Sequence, residues 1–223
     1  MTVTLETPVG EIASHHPLAT RVFARHQIDF CCGGGKSLGE VCHTKGLDGP
    51  GVVAEIEHEL STGPDLNARW DTAPLDDLID HIVSTYHRSL TEELPRLEAM
   101  LTKVHRVHGE KDPQRLAELL DVFRGLQAEL MDHMMKEERI LFPMIQQGEG
   151  AQASGPVSVM EHEHDSAGAA LRRIRTLTDD YTPHDNACNT WRALWAGLEQ
   201  LEVDLHQHIH LENNILFPRA LAQ

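Results

Sequence analysis

Apolar residues recur at steps of three and four through most of this chain, in four long runs. Leu75, Leu78, Ile79, Ile82, Tyr86, Leu90, Leu94, Leu97, Leu101 and Val104 make one stripe and predict a helix over 73–107. A second stripe, from Leu116 through Phe123 and Leu130 to Ile140, Leu141 and Met144, predicts a helix over 113–146, opened by the Asp112-Pro113 pair. A third runs over 156–178 through Met160, Ala167, Leu171 and Ile174. A fourth runs over 186–217 through Trp191, Trp195, Leu198, Leu205 and Ile215. Pro95 predicts a kink, and Phe142-Pro143 and Phe217-Pro218 predict helix ends. No alternating strand pattern competes. Four amphipathic helices with short connections predict an all-α chain whose residues 73–223 form an antiparallel four-helix bundle.

Ahead of the bundle, residues 1–60 carry short apolar groups broken by Pro8, Pro17, Gly33-Gly34-Gly35 and Gly49-Pro50-Gly51. They read as a small helical module containing cysteine. About 60 residues make a marginal core, so the module is expected to dock on the bundle or on a second chain, which makes a homodimer a candidate assembly. Residues 61–72, with Gly63-Pro64, read as a linker.

Composition narrows the function. The 223 residues carry a net charge of −16, which argues against nucleic acid and against an anionic membrane surface as partners. The first residues show no basic leader followed by an apolar core, and the expectation is a cytoplasmic protein with reduced cysteines. Sixteen His stand beside three Trp and two Tyr, a bias that calls for a chemical reason.

That reason lies in a repeat. His133-Met-Met-Lys-Glu137-Glu-Arg-Ile-Leu-Phe-Pro143 recurs 75 residues later as His208-Ile-His-Leu-Glu212-Asn-Asn-Ile-Leu-Phe-Pro218. Residues four apart on a helix lie about 40° apart around the axis and about 6 Å along it, so each copy aims an imidazole and a carboxylate the same way. The preceding helix of each half supplies one more His on its stripe, His87 and His164, 77 apart. The sum is His87, His133, His164 and His208 with Glu137 and Glu212. An ionised Glu on an apolar stripe is costly to desolvate alone, and two carboxylates bridging two cations remove that cost. Two nitrogens and two bridging oxygens per metal, plus a solvent-derived oxo or hydroxo bridge, leave an open position and suit a di-iron centre. Ligand type alone leaves zinc and manganese open. A lone His or a lone His-x-x-x-Glu pair is ordinarily core or solvated surface. Two copies in register with matching partner His are hard to obtain from packing.

Around this set, Glu129 lies one turn before His133, and Glu163 directly precedes His164; both are candidates to orient imidazoles or to carry protons or iron. The adjacent Cys31 and Cys32 precede the Gly triplet, a place for soft thiol ligands. Cys42 and Cys188 read as packing residues.

The two His-x-x-x-Glu-x-x-x-Leu-Phe-Pro segments resemble the hemerythrin-like domain. With Cys31-Cys32-Gly33-Gly34-Gly35, nearly the whole chain resembles the RIC (repair of iron centres) family. The resemblance implies a di-iron protein that helps repair iron–sulfur clusters damaged by nitrosative or oxidative stress, by supplying iron, with damaged iron–sulfur proteins as partners and NO or O2 as small ligands. Its ligand pattern falls on the same six residues. Other readings stand beside repair: a nitric oxide reductase forming nitrous oxide, an oxygen- or NO-binding carrier or sensor, and a non-redox zinc protein.

Overall fold

Capping chemistry decides where the short helices of the N-terminal module begin and end. In the computed structural model, which describes residues 2–62, 70–110 and 112–223, α1 (Val9–His15), α2 (Ala19–Arg25), α3 (Leu38–Lys45) and α4 (Gly49–Thr62) form that module. Ser37 starts α3 by accepting from the Glu40 amide, and Gly46 ends it in the left-handed region at φ 68°. Val9, Ile12, Val22, Phe23, Leu38 and Ile56 form its core. The stretch expected to be a linker, 61–72, begins inside α4, and 63–69 lie outside the described residues.

The bundle consists of four rods, three of them interrupted. The first is α5 (Leu75–Ile82), a π-helical turn (Val83–His87) and α6 (Arg88–His108). The second is α7 (Pro113–Lys136), a π turn (Glu137–Leu141) and α8 (Phe142–Gln146). The third, α9 (Ser154–Leu177), is uninterrupted. The fourth is α10 (Asn189–Leu211), a π turn (Glu212–Leu216) and α11 (Phe217–Leu221). The first rod packs on the second and fourth, and the second on the third. Among the described residues there is no strand, only an isolated bridge between Pro8 and Ser37. No helix among them is long and apolar enough to cross a membrane.

The expected helix ends at Phe142-Pro143 and Phe217-Pro218 are corrected by the π turns. The amides of Phe142 and Phe217 reach back five residues, to the carbonyls of Glu137 and Glu212. The wide turn comes where the proline has no N–H to give, and the helix runs on to Gln146 and to Leu221. α6 carries Pro95 within it, as expected of a proline inside a helix. The inserted residue also re-phases the stripe. Ile140, expected inward, is 54% exposed, whereas its repeat partner Ile215 is 4% exposed. The difference comes from the N-terminal module: α1 packs on the Glu212–Leu216 π turn, and Ala13, Ser14 and Pro17 line a small cavity with Ile215.

Two apolar layers bracket the middle of the bundle. Leu94, Leu97, Phe123, Leu194, Trp195 and their neighbours fill one; Ile82, Phe142, Met160, Leu211, Leu216 and Phe217 belong to the other. Between them lies a buried polar layer.

The two isoleucines give a direct comparison. Ile215→Ala should cost about 2–5 kcal/mol of unfolding free energy, and Ile140→Ala should stay within about 0.5 kcal/mol. Denaturant unfolding of both variants measures this, and equal losses would contradict the docking of the module on the second half.

Candidate metal centre

The polar layer is built by the repeat. His87 ends the first π turn, while Glu137 and Glu212 begin the other two. His133 and His208 come one turn earlier, and His164 sits on uninterrupted α9. The exposures of His87, His133, His164 and His208 are 2–3%, and Glu137 and Glu212 are fully buried.

These six side chains form two overlapping groups. One ligand atom from each of His87, Glu137, His208 and Glu212 lies within 4.8 Å of the others, and the same holds for His133, Glu137, His164 and Glu212. The imidazoles are thereby sorted into pairs, His87 with His208 and His133 with His164, and both pairs share both carboxylates. The paired Nε2 atoms are 3.2 Å and 3.0 Å apart. Two nitrogens about 2.1 Å from one cation, at roughly a right angle, have this separation. His87 and His133 place Nε2 at 3.4 and 3.3 Å from Glu137 Oε2 without hydrogen-bond alignment. Both Glu137 oxygens and Glu212 Oε2 are buried without a hydrogen-bond partner. Lone pairs converging on shared points, with orphaned buried carboxylate oxygens, fit a pair of cations.

The charge balance of the metal-free chain says the same. Burial and the neighbouring Glu212 push the Glu137 carboxyl up, but His133 and His87 outweigh them and hold it below its ordinary value. Burial lowers His133, and the carboxylates Glu137, Glu212 and Glu163 reverse this and raise it to about 9. Protons on imidazole thus balance charge that a cation would balance on loading.

Outside the ligands, hydrogen bonds orient the rings. His87 Nδ1 donates to Glu138 (2.8 Å), His133 Nδ1 to Glu163 (2.9 Å) and His164 Nδ1 to Asn213 (2.8 Å). Each leaves Nε2 facing inward, its lone pair available to a cation. Lys136 pairs with the other Glu163 oxygen. Phe142 stacks on His87 and Phe217 on His164, at 5.7 and 6.1 Å between centroids. The phenyl rings of the two Ile-Leu-Phe-Pro tails therefore shield the site, a role that reading them only as core and stop signals missed. Glu129 is exposed, and no hydrogen bond among the described residues joins it to the site.

Glu138 and Asn213 were also missed. They stand one residue after Glu137 and Glu212, 75 apart, and the repeat offset applied one residue further would have found them.

Cys31 and Cys32 lie against the same layer. The Cys32 thiol is 3.6 Å from the His164 carbonyl, and Asn213, which accepts from His164, donates weakly to the Cys31 carbonyl at 3.4 Å. Asp29 accepts from the amides of Cys31, Cys32 and Gly33 and from the Cys31 thiol. The hydrogen bond from Cys31 to Cys32, burial, and the Asp29 charge push the Cys31 thiol well above its ordinary value, so it rests protonated. Asp29, Cys31 and Cys32 nonetheless place ligand atoms within 4.8 Å of one another. All four cysteines are free. Cys42 is buried, whereas Cys188, expected to pack, is exposed at the start of α10 because the N-cap position faces solvent.

Comparison with known proteins agrees with this geometry. Residues 78–220 match the Hemerythrin HHE cation binding domain, and residues 5–60 match a Domain of Unknown function (DUF542). The chain is 50% identical over 219 residues to the Iron-sulfur cluster repair protein YtfE of Edwardsiella ictaluri (strain 93-146), covering 97% of each. It is 50% identical over 218 residues to the protein of that name from Musicola paradisiaca (strain Ech703), covering 97% of this chain and 96% of that one. It is 48% identical over 215 residues to the one from Yersinia pseudotuberculosis serotype IB (strain PB1/+), covering 96% of each.

A site of this kind should stabilise the fold when loaded. A divalent cation at 100 times its dissociation constant should add about 2.7 kcal/mol, read as a rise in thermal midpoint. Glu137→Gln should lose most of that rise, read against the variant's own metal-free midpoint, because a neutral amide removes one of the two anionic ligands both groups share. An unchanged rise in this variant would remove Glu137 from the site.

Proposed function

The chain belongs to the iron–sulfur cluster repair family built on the hemerythrin HHE cation-binding domain, and on that premise we propose that it binds two iron ions and supplies iron to damaged iron–sulfur clusters. His87 and His208 would hold one iron and His133 and His164 the other, with Glu137 and Glu212 common to both groups. The observation that carries this reading is the pair of overlapping buried ligand groups with both carboxylates in common. Mixed nitrogen and oxygen ligation suits ferrous iron and, being softer than an all-oxygen cage, lets it go to sulfur.

The chain's own residues divide the work. Four imidazoles and two carboxylates hold the ions; Glu138, Glu163 and Asn213 fix ring orientation; Phe142 and Phe217 keep water from the inner face. The Cys31–Cys32 turn offers soft ligands beside the bundle. Its Cys31 thiol stays protonated until a cation binds the sulfur and displaces the proton, which keeps Cys31 unreactive until iron reaches it. The partners are iron–sulfur proteins whose clusters nitrosative or oxidative stress has depleted.

The test is transfer. Anaerobic iron-loaded protein is mixed with an apo or NO-treated [4Fe–4S] protein, and iron and cluster absorbance are measured in both after separation. Iron lost here should appear as rebuilt cluster there, and the joint Cys31→Ser, Cys32→Ser variant should transfer more slowly while holding the same iron. Cluster recovery with all iron retained by this protein would defeat the donor reading.

A further inference from the structure

The repeat makes the two halves of the site near copies, and it departs from copying at one ligand. His133 corresponds to His208, His164 to His87, and Asn213 to Glu138. The outer nitrogens of three rings are anchored, as described above. The residue corresponding to Glu163, one before the His of the preceding helix, is Tyr86. Its ring lies flat against that of His208, 5.2 Å between centroids and 2° from parallel. A ring face offers no acceptor in the plane of the imidazole, and His208 Nδ1 is buried with no hydrogen-bond partner among the described residues. An outer hydrogen bond fixes ring rotation and strengthens the ligand, and losing one typically lowers metal affinity about 10–100-fold.

Open space borders Tyr86, the ring stacked on His208. Tyr86 borders a cavity of about 440 Å³ whose wall carries the carboxylate of Asp204, which accepts from Gln200, and that of Glu93, which is paired with Arg96 on the same wall. Tyr86 and Asp204 also border a second cavity of about 310 Å³ that reaches Asp29 of the thiol turn; its wall carries Arg172 and Arg175 too, the latter paired with Glu202. His133 is closed off differently, with Glu163 and its ion pair to Lys136 at the outer nitrogen of the ring.

We propose that the two iron positions are unequal: the ion between His87 and His208 leaves first, by rotation of the unanchored His208 ring past Tyr86 into the cavity lined by Glu93 and Asp204, while the ion between His133 and His164 stays. Tyr86 is a positioning residue in this scheme, holding His208 by stacking alone. Asp204 receives a hydrated cation, and the second cavity leads from the same tyrosine to Asp29, the residue that accepts from Cys31 and Cys32. This inference rests on the reading that the site holds two irons.

The experiment separates the two. Iron content of the anaerobically loaded full chain is measured first, and anything other than two irons per chain would overturn the two-iron reading and this inference with it. With two irons present, a ferrous chelator in excess is added in a stopped-flow instrument. Two phases of equal amplitude are expected, with rates about 10-fold or more apart. Crystals soaked in chelator until half the iron is gone should show anomalous signal at the iron edge between His133 and His164. A single phase, residual iron between His87 and His208, or equal half-occupancy of both positions would overturn the inference while leaving the two-iron reading intact. Tyr86→Glu places at position 86 the residue that the repeat has at 163, and it should slow the fast phase toward the slow one. Tyr86→Phe keeps the stacking and should leave both phases as they are. A two-iron Tyr86→Glu protein with an unchanged fast phase would also overturn it, and the diffraction result on the unaltered chain decides the matter if that variant fails to fold.

Discussion

Two carboxylates at the centre of a four-helix bundle set the terms for everything around them. Glu137 and Glu212 are fully buried, and three of their four oxygens have no hydrogen-bond partner. Desolvating an ionised carboxylate costs several kcal/mol even after relaxation, roughly a third or more of the stability of an ordinary domain. The leucine, phenylalanine and tryptophan layers on either side offset that cost and keep water from relieving it. The metal-free chain meets the charge with protons held on imidazole, His133 among them. Such a centre is expensive in stability and specific in chemistry, which is how binding sites, rather than packing cores, are arranged.

The π turns solve the geometric side of this constraint. An α-helix aims residues four apart about 40° from each other, which converges a His and a Glu only approximately. One extra residue in the turn that starts at Glu137, and again at Glu212, changes the direction of the rod beyond the ligand. The following Phe then comes to stack on the imidazole of the neighbouring rod, and Pro takes the place where a helical amide is missing. The first rod makes its π turn just before the ligand, at Val83–His87, and the turn carries Tyr86 onto His208. α9 has no such turn, and Glu163 there reaches His133 as a hydrogen-bond acceptor. The asymmetry of the outer shell accompanies this difference in backbone.

The helical period, the bundle and its family were legible in the chain, because apolar stripes and a duplicated motif are signals of sequence spacing. The ligands could be picked out for the same reason: two copies in register are improbable without a shared task. What was not legible depends on phase. A π turn leaves no compositional mark, so Ile140 was read as inward, and the prolines as ends. The outer hydrogen bonds were partly within reach, since Glu138 and Asn213, like Tyr86 and Glu163, stand at the repeat offsets. That a tyrosine stands where its counterpart is a glutamate becomes meaningful only when the ring is seen flat on an imidazole.

The same comparison accounts for where the N-terminal module sits. The bundle has two faces related by the repeat, and the module occupies one. Asn213 and Asn214 donate to the carbonyls of Phe30 and Cys31, and Phe30 meets the edges of His206 and His210. Burial lowers His210 to about 4, outweighing a hydrogen bond with the Phe30 backbone, so it stays neutral in the contact. The counterparts on the other face are Glu138, Arg139, Met131 and Met135. An ionised glutamate cannot donate to a carbonyl, and an arginine brings a charge where an uncharged amide is needed. Fit is equally selective: a Cβ at Gly10 or Gly34 would come within 2.4 Å of the Asn214 side-chain oxygen, so the two glycines and that one asparagine define the contact together. A duplicated bundle thus became directional through a few polar replacements, and the face that gained amides is the one that holds the thiols against His164.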